Sequence, residues 1–152
     1  MDSKQLQFDK SYLKMAGIWA RNSYCVRRQV GALIVKDRSI ISDGYNGTPC
    51  GFENVCEDEQ GCTKPYVLHA EANAIISASR DKMLGSSMYL AGTDAKTGEY
   101  IANSNSCSMC KRMIINAGIE KVYVRDDKDH YRMVEVNDWI INDESLEGTL
   151  GY

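Results

Sequence analysis

Two short segments hold the residue types best suited to chemistry: His69-Ala70-Glu71 and Cys107-Ser108-Met109-Cys110. One imidazole and two thiolates suit zinc. Three protein ligands leave the fourth tetrahedral position to water, which is the arrangement of catalytic sites, whereas structural sites are closed by four. Residues three apart on a helix share a face, so Cys107 and Cys110 can grip one ion. The positive end of the helix dipole favours their ionised form. Glu71, two residues after His69, then stands near the metal's water without being a ligand, where a carboxylate can take up a proton and hand it on. The bland alternative is a buried histidine, a surface carboxylate and two core thiols; the joint pattern favours the metal.

These segments must be brought together by the elements around them. A helix is expected from Asp9 to about Ser23, capped by Asp9, with Leu13, Ala16, Ile18, Trp19 and Ala20 near helical spacing. Val30 to Val35 reads as a strand, Lys36 to Ser39 as a turn, and Ile40 to Tyr45 as the partner strand of a hairpin. Asn46 to Pro65, with both prolines and several Gly, Cys and acidic residues, reads as a long functional loop. A helix over His69 to Arg80, a strand over Met88 to Ala91, a helix over Cys107 to Ala117 with Gly118 at C′, and a strand over Lys121 to Arg125 follow. The tail from about Asp126 carries Val134, Val136, Trp139, Ile140 and Ile141, a pattern compatible with a strand and a short helix. Crossover helices imply a mixed sheet covered by helices. Both chemical segments then open helices at one sheet edge, so their side chains can converge.

Composition narrows the partners. The chain has 152 residues, 43 % hydrophobic and 26 % charged, which fits a single globular domain over 1–152. A net charge of −3 gives no basic field to gather nucleic acid, so an anionic substrate must be held by a local cluster. No stretch approaches a membrane helix, and the polar N-terminus shows no export signal. A cytoplasmic location is expected, with the six cysteines serving as ligands, nucleophiles or buried small groups rather than as disulfides.

His-x-Glu followed by Cys-x-x-Cys is the pattern of zinc nucleobase deaminases. With Val30-Gly31-Ala32, Gly44-Tyr45-Asn46-Gly47-Thr48-Pro49 and His69-Ala70-Glu71-Ala72-Asn73-Ala74-Ile75 in that order, residues 9 to 125 resemble the deoxycytidylate deaminases of the cytidine and deoxycytidylate deaminase superfamily. Ser106 departs from the family pattern, which usually places proline before the first cysteine; a serine can equally cap the helix. The resemblance implies a three-layer α/β/α cytidine-deaminase-like fold with a mixed central sheet. It also implies hydrolytic deamination of dCMP to dUMP and ammonia, supplying dUMP for thymidylate synthesis. Glu71 would collect the water proton, protonate the ring at N3 and deliver a proton to the leaving amino group. Asn46 matches the family asparagine that binds the nucleotide sugar, and the Ala70 N–H the contact to the base carbonyl. The family further suggests a homohexamer whose activity dCTP raises and dTTP lowers, both with Mg2+. Related alternatives are deaminases of tRNA adenosine, guanine or cytidine, and a competence-associated zinc-binding protein without catalysis.

The remaining candidates are less constrained. Arg27 and Arg28, beside Ser23 at the end of the first helix, form the best local cluster for a phosphate, against a plain solvated helix end. Tyr131 is similar to a tyrosine that follows the last core strand in relatives and approaches the nucleotide; an ordinary surface aromatic is the alternative. Cys25, Cys50, Cys56 and Cys62 are either buried thiols or, as in some viral relatives, ligands of a second, structural Zn2+. In that second reading Cys25, Cys56 and Cys62 bind the ion and Cys50 is the candidate fourth ligand.

Overall fold

The computed structural model describes residues 2–102 and 104–142. Helix α1 (Ser3–Ala20) is followed by the hairpin β1 (Arg28–Lys36) and β2 (Ser39–Tyr45), then α2 (Ala70–Ile76), α3 (Arg80–Met83) and β3 (Ser87–Asp94). Helix α4 (Ser108–Ala117), strands β4 (Lys121–Arg125) and β5 (Tyr131–Glu135), and α5 (Val136–Ile141) complete it. The five strands form one sheet in the order β2-β1-β3-β4-β5. Only β3 and β4 pair in parallel, so the sheet is mixed. Because β1 is antiparallel to both β2 and β3, strands β2, β3 and β4 run the same way and their carboxyl ends share one edge.

Strand alternation sorts the core into two layers. Ala32, Ile34, Met88, Leu90, Val122 and Val124 face α2 and α4, packing with Ala70, Ala74 and Ile114. Leu33, Val35, Tyr89, Ala91 and Tyr123 face α1, packing with Tyr12, Leu13 and Ala16. The result is the expected α/β/α sandwich. Gly44 lets α2 lie directly on β2: a Cβ there would stand 2.6 Å from the Ala70 carbonyl oxygen and 2.5 Å from the Ala74 nitrogen. That close approach fixes the start of α2, and with it His69 and Glu71.

Several element boundaries differ from expectation. Helix α1 begins earlier, capped by Asp2, whose side chain accepts from the Lys4 amide, because Lys4, Gln5 and Leu6 are good helix formers. Asp9 is therefore not a cap but a buried residue of the helix, accepting from Tyr89 Oη at 2.5 Å and from Gln5 Nε2 at 2.9 Å. Burial and that contact push the Tyr89 hydroxyl well above its ordinary range. Ile18 and Trp19 lie on the outer face of α1, 61 % and 38 % exposed, rather than against the sheet. The helix expected over His69 to Arg80 is broken after Ile76, where Ser77 Oγ donates back to the Asn73 carbonyl and Ser79 starts a new turn. Gly118 takes the left-handed C-cap position of α4, at φ 82°. The tail supplies β5 and α5 as its apolar pattern indicated; residues 143–152 lie outside the described residues. Among the described residues no helix is long and apolar enough to cross a membrane.

Candidate metal centre and pocket

His69 is the N-cap residue of α2 and Cys107 that of α4, so each stands at a helix start on the shared sheet edge. Cys110 follows in the first turn of α4, buried, and its amide donates to Cys107 Sγ at 3.5 Å. His69 Nδ1 is 3.4 Å from Cys107 Sγ and 3.4 Å from Cys110 Sγ. A tetrahedral zinc with sulfur at about 2.3 Å and nitrogen at about 2.0 Å separates the two kinds of ligand by roughly 3.5 Å. The three donor atoms are thus arranged for one zinc.

The electrostatics agree. Burial pushes the Cys110 thiol far up from its ordinary value, and the charges of Glu71 and Cys107 push it further. A divalent cation among these groups would reverse that field and hold both sulfurs as thiolates. Glu71, in the first turn of α2, is 6 % exposed. A carboxylate that deep needs a partner. His69, Glu71 and Cys107 form one wall of a cavity of about 350 Å³. Cys25, Arg27, Arg28, Val30, Asn46, Glu57, Thr63, Val67, Ala70, Ser104 and Asn105 line the rest.

Residues 6–125 match the sequence model of the cytidine and deoxycytidylate deaminase zinc-binding region. The chain belongs to this family. It is 30 % identical over 129 residues to the deoxycytidylate deaminase of Mycobacterium phage D29, covering 76 % of this chain and 91 % of that protein. It is 32 % identical to the human deoxycytidylate deaminase over 82 % of this chain and 68 % of the relative. Among solved structures, the dCMP deaminase of cyanophage S-TIM5 in complex with dCMP and dUMP superposes with a TM-score of 0.65 at 37 % identity, covering 82 % of this chain and 83 % of that one.

Within this deaminase-family pocket the other expected residues divide. Arg27 and Arg28 both line it, and so do Asn46 and Ala70. Asn46 is also a clamp: its Oδ1 accepts from the Val30 amide at 2.8 Å and its Nδ2 donates to the Arg28 carbonyl at 2.9 Å, tying the end of β2 to β1. Ala70 opens α2, so its amide is one of the first-turn N–H groups without an intrahelical acceptor. Ser23 is not brought to the cavity. It is 4 % exposed, and its Oγ donates to the Asn46 carbonyl at 2.9 Å and accepts from the Cys25 amide at 3.2 Å. It braces Asn46 from behind. Tyr131 also lies elsewhere, on the α1 side of the sheet, with its ring 6.2 Å from that of Tyr123. It borders a separate depression with Lys10, Lys14 and His130.

The four other cysteines behave differently from the proposed ligand set. Cys25 and Cys56 are joined in a disulfide, with Cα atoms 5.2 Å apart, although no disulfide was expected. Cys50 and Cys62 are free and exposed, outside the cluster of Cys25, Cys56 and Glu57. The second-zinc set of Cys25, Cys56, Cys62 and Cys50 is therefore not assembled, because the bond consumes the two buried sulfurs. Glu57, which sequence reasoning missed, accepts from the amides of Val26 at 3.1 Å and Arg27 at 3.2 Å. It holds the arginine-bearing segment over the pocket. Its neighbour Cys56 in the sequence was the only local signal.

Proposed function

We propose that this chain catalyses the zinc-dependent hydrolysis of dCMP to dUMP and ammonia, supplying dUMP for thymidylate synthesis. The observation that carries the reading is a buried carboxylate, Glu71, set against the His69, Cys107 and Cys110 donor atoms in a cavity whose wall also carries Arg27 and Arg28. A purely structural zinc site gives Glu71 no work. The solved relative holding dCMP and dUMP supports the choice of substrate and product.

His69, Cys107 and Cys110 would hold the zinc, which would supply an acidified water, with a pKa lowered toward about 7, as the nucleophile for C4. Glu71 would take one proton of that water and pass it to N3, where it stays, so that C4 becomes electrophilic; it would then take the remaining proton from the hydroxyl now on C4 and give it to the amino group, which leaves as ammonia while C4 becomes a carbonyl. One water is consumed and one ammonia leaves. The Ala70 N–H donates to the base carbonyl oxygen. Asn46 keeps one Nδ2 hydrogen for the sugar after its bond to Arg28. The arginine forks suit phosphate oxygens.

The reading extends to a cytoplasmic homohexamer regulated by dCTP and dTTP with Mg2+. The outer face of α1 supports self-association, since Met15, Ile18 and Trp19 form an exposed apolar stripe. Ammonia release over dCMP, CMP, deoxycytidine, cytosine, guanine and adenosine tests the substrate. Turnover confined to dCMP is expected; turnover of another member of the panel with none on dCMP contradicts the reading.

A further inference from the structure

The segment before α4 places Asn105 in the cavity wall, and its side chain is not free to turn. Arg132 on β5 donates through Nη2 to Asn105 Oδ1 at 2.8 Å. The same nitrogen lies 3.5 Å from Asp126 Oδ1, so the guanidinium is held between the two. A guanidinium offers donors only, and the Asn105 atom facing it must therefore be the carbonyl oxygen. The amide nitrogen Nδ2, with two N–H groups, takes no part in that contact, and Asn105 lines the pocket.

Strand alternation explains how β5 reaches the site at all. Tyr131 points to the α1 side, so the next residue, Arg132, projects toward the opposite face, where the start of α4 and Asn105 lie.

We propose that Asn105 is a substrate-binding donor, its Nδ2 hydrogen-bonding to an oxygen acceptor of the bound deoxynucleotide, and that Arg132 is the positioning residue that keeps the amide in its donating orientation. The proposal rests on the dCMP deaminase reading above.

The test is steady-state kinetics with dCMP on zinc-loaded wild type, Asn105→Asp, Asn105→Ala, Arg132→Ala and Arg132→Lys, with zinc content and thermal unfolding measured on each. Asn105→Asp keeps an oxygen toward Arg132 and replaces the donor by an oxygen that can only accept. A hydrogen bond to a charged or strongly polar acceptor is expected to show as a KM about tenfold higher in Asn105→Asp, with kcat within about threefold and zinc unchanged. Asn105→Ala should raise KM in the same direction, which keeps the test alive if the aspartate variant fails to fold. Arg132→Ala should raise KM less, and Arg132→Lys, which restores a donor to Oδ1, should recover part of that loss. A KM within twofold of wild type for both Asn105 variants overturns the proposal. Wild-type protein inactive on dCMP overturns instead the reading beneath it.

Discussion

Two pairs of cysteines, each with one member in the wall of the same cavity, Cys107 and Cys25, behave in opposite ways. Cys107 and Cys110 sit three apart at the start of one helix, remain reduced and point their sulfurs at His69. Cys25 and Cys56 are 31 residues apart on two irregular segments and are bonded to each other. The first pair is set by helical geometry, which brings both sulfurs to His69 and prepares them for a metal. The second is set by where two loops meet, and it ties down the segment that carries Arg27 and Arg28. Chemistry belongs to the first region and shape to the second.

The strongest way to break this division is to exchange the roles. Cys110→Ser should lose the zinc and drop dCMP turnover by more than about a hundredfold, since the ion supplies the nucleophile. Cys25→Ser with Cys56→Ser should keep the zinc and most of the kcat. If the loop variant lost the metal while the helix variant kept it, the assignment of the two regions would be reversed.

The next effect is on stability. Opening the Cys25–Cys56 link should lower unfolding free energy by about 2–4 kcal/mol, measured by denaturant titration with and without a dithiol. The oxidised protein should carry one zinc per chain; two per chain would show that the loop cysteines bind metal after all.

Smaller effects sharpen the picture inside the loop region. Asn46→Ala removes two hydrogen bonds between β2 and β1 and should cost about 1–3 kcal/mol, with a raised KM for dCMP. Ser23→Ala should cost about 1 kcal/mol and leave KM unchanged, because its hydroxyl braces the Asn46 carbonyl from outside the cavity. A tenfold rise in KM for Ser23→Ala would return it to the phosphate site.

What was legible beforehand follows the same line. Local spacing can be read: His69, Glu71, Cys107 and Cys110 lie at helix starts, and the strand-to-helix turns of a sheet with crossover helices put those starts on one edge. Contacts made by irregular segments could not. Nothing in the spacing of Cys25 and Cys56 foretells a bond across 31 residues, and Glu57 reaches the Val26 and Arg27 amides only because the long loop folds back. Asp9 looked like a helix cap because it precedes an apolar run; it is instead a buried acceptor for Tyr89, a partner distant in the chain. Tyr131, similar to a tyrosine of relatives, lies one residue from Arg132, which bonds to Asn105 in the pocket wall, and on a strand one residue changes the face.

The central claim is that Glu71 moves protons beside a zinc held by His69, Cys107 and Cys110. Metal analysis and dCMP turnover measured together on Glu71→Gln test it most directly. The account predicts zinc at the wild-type level with turnover reduced by about 10²–10⁴. Full zinc with turnover near wild type would contradict it.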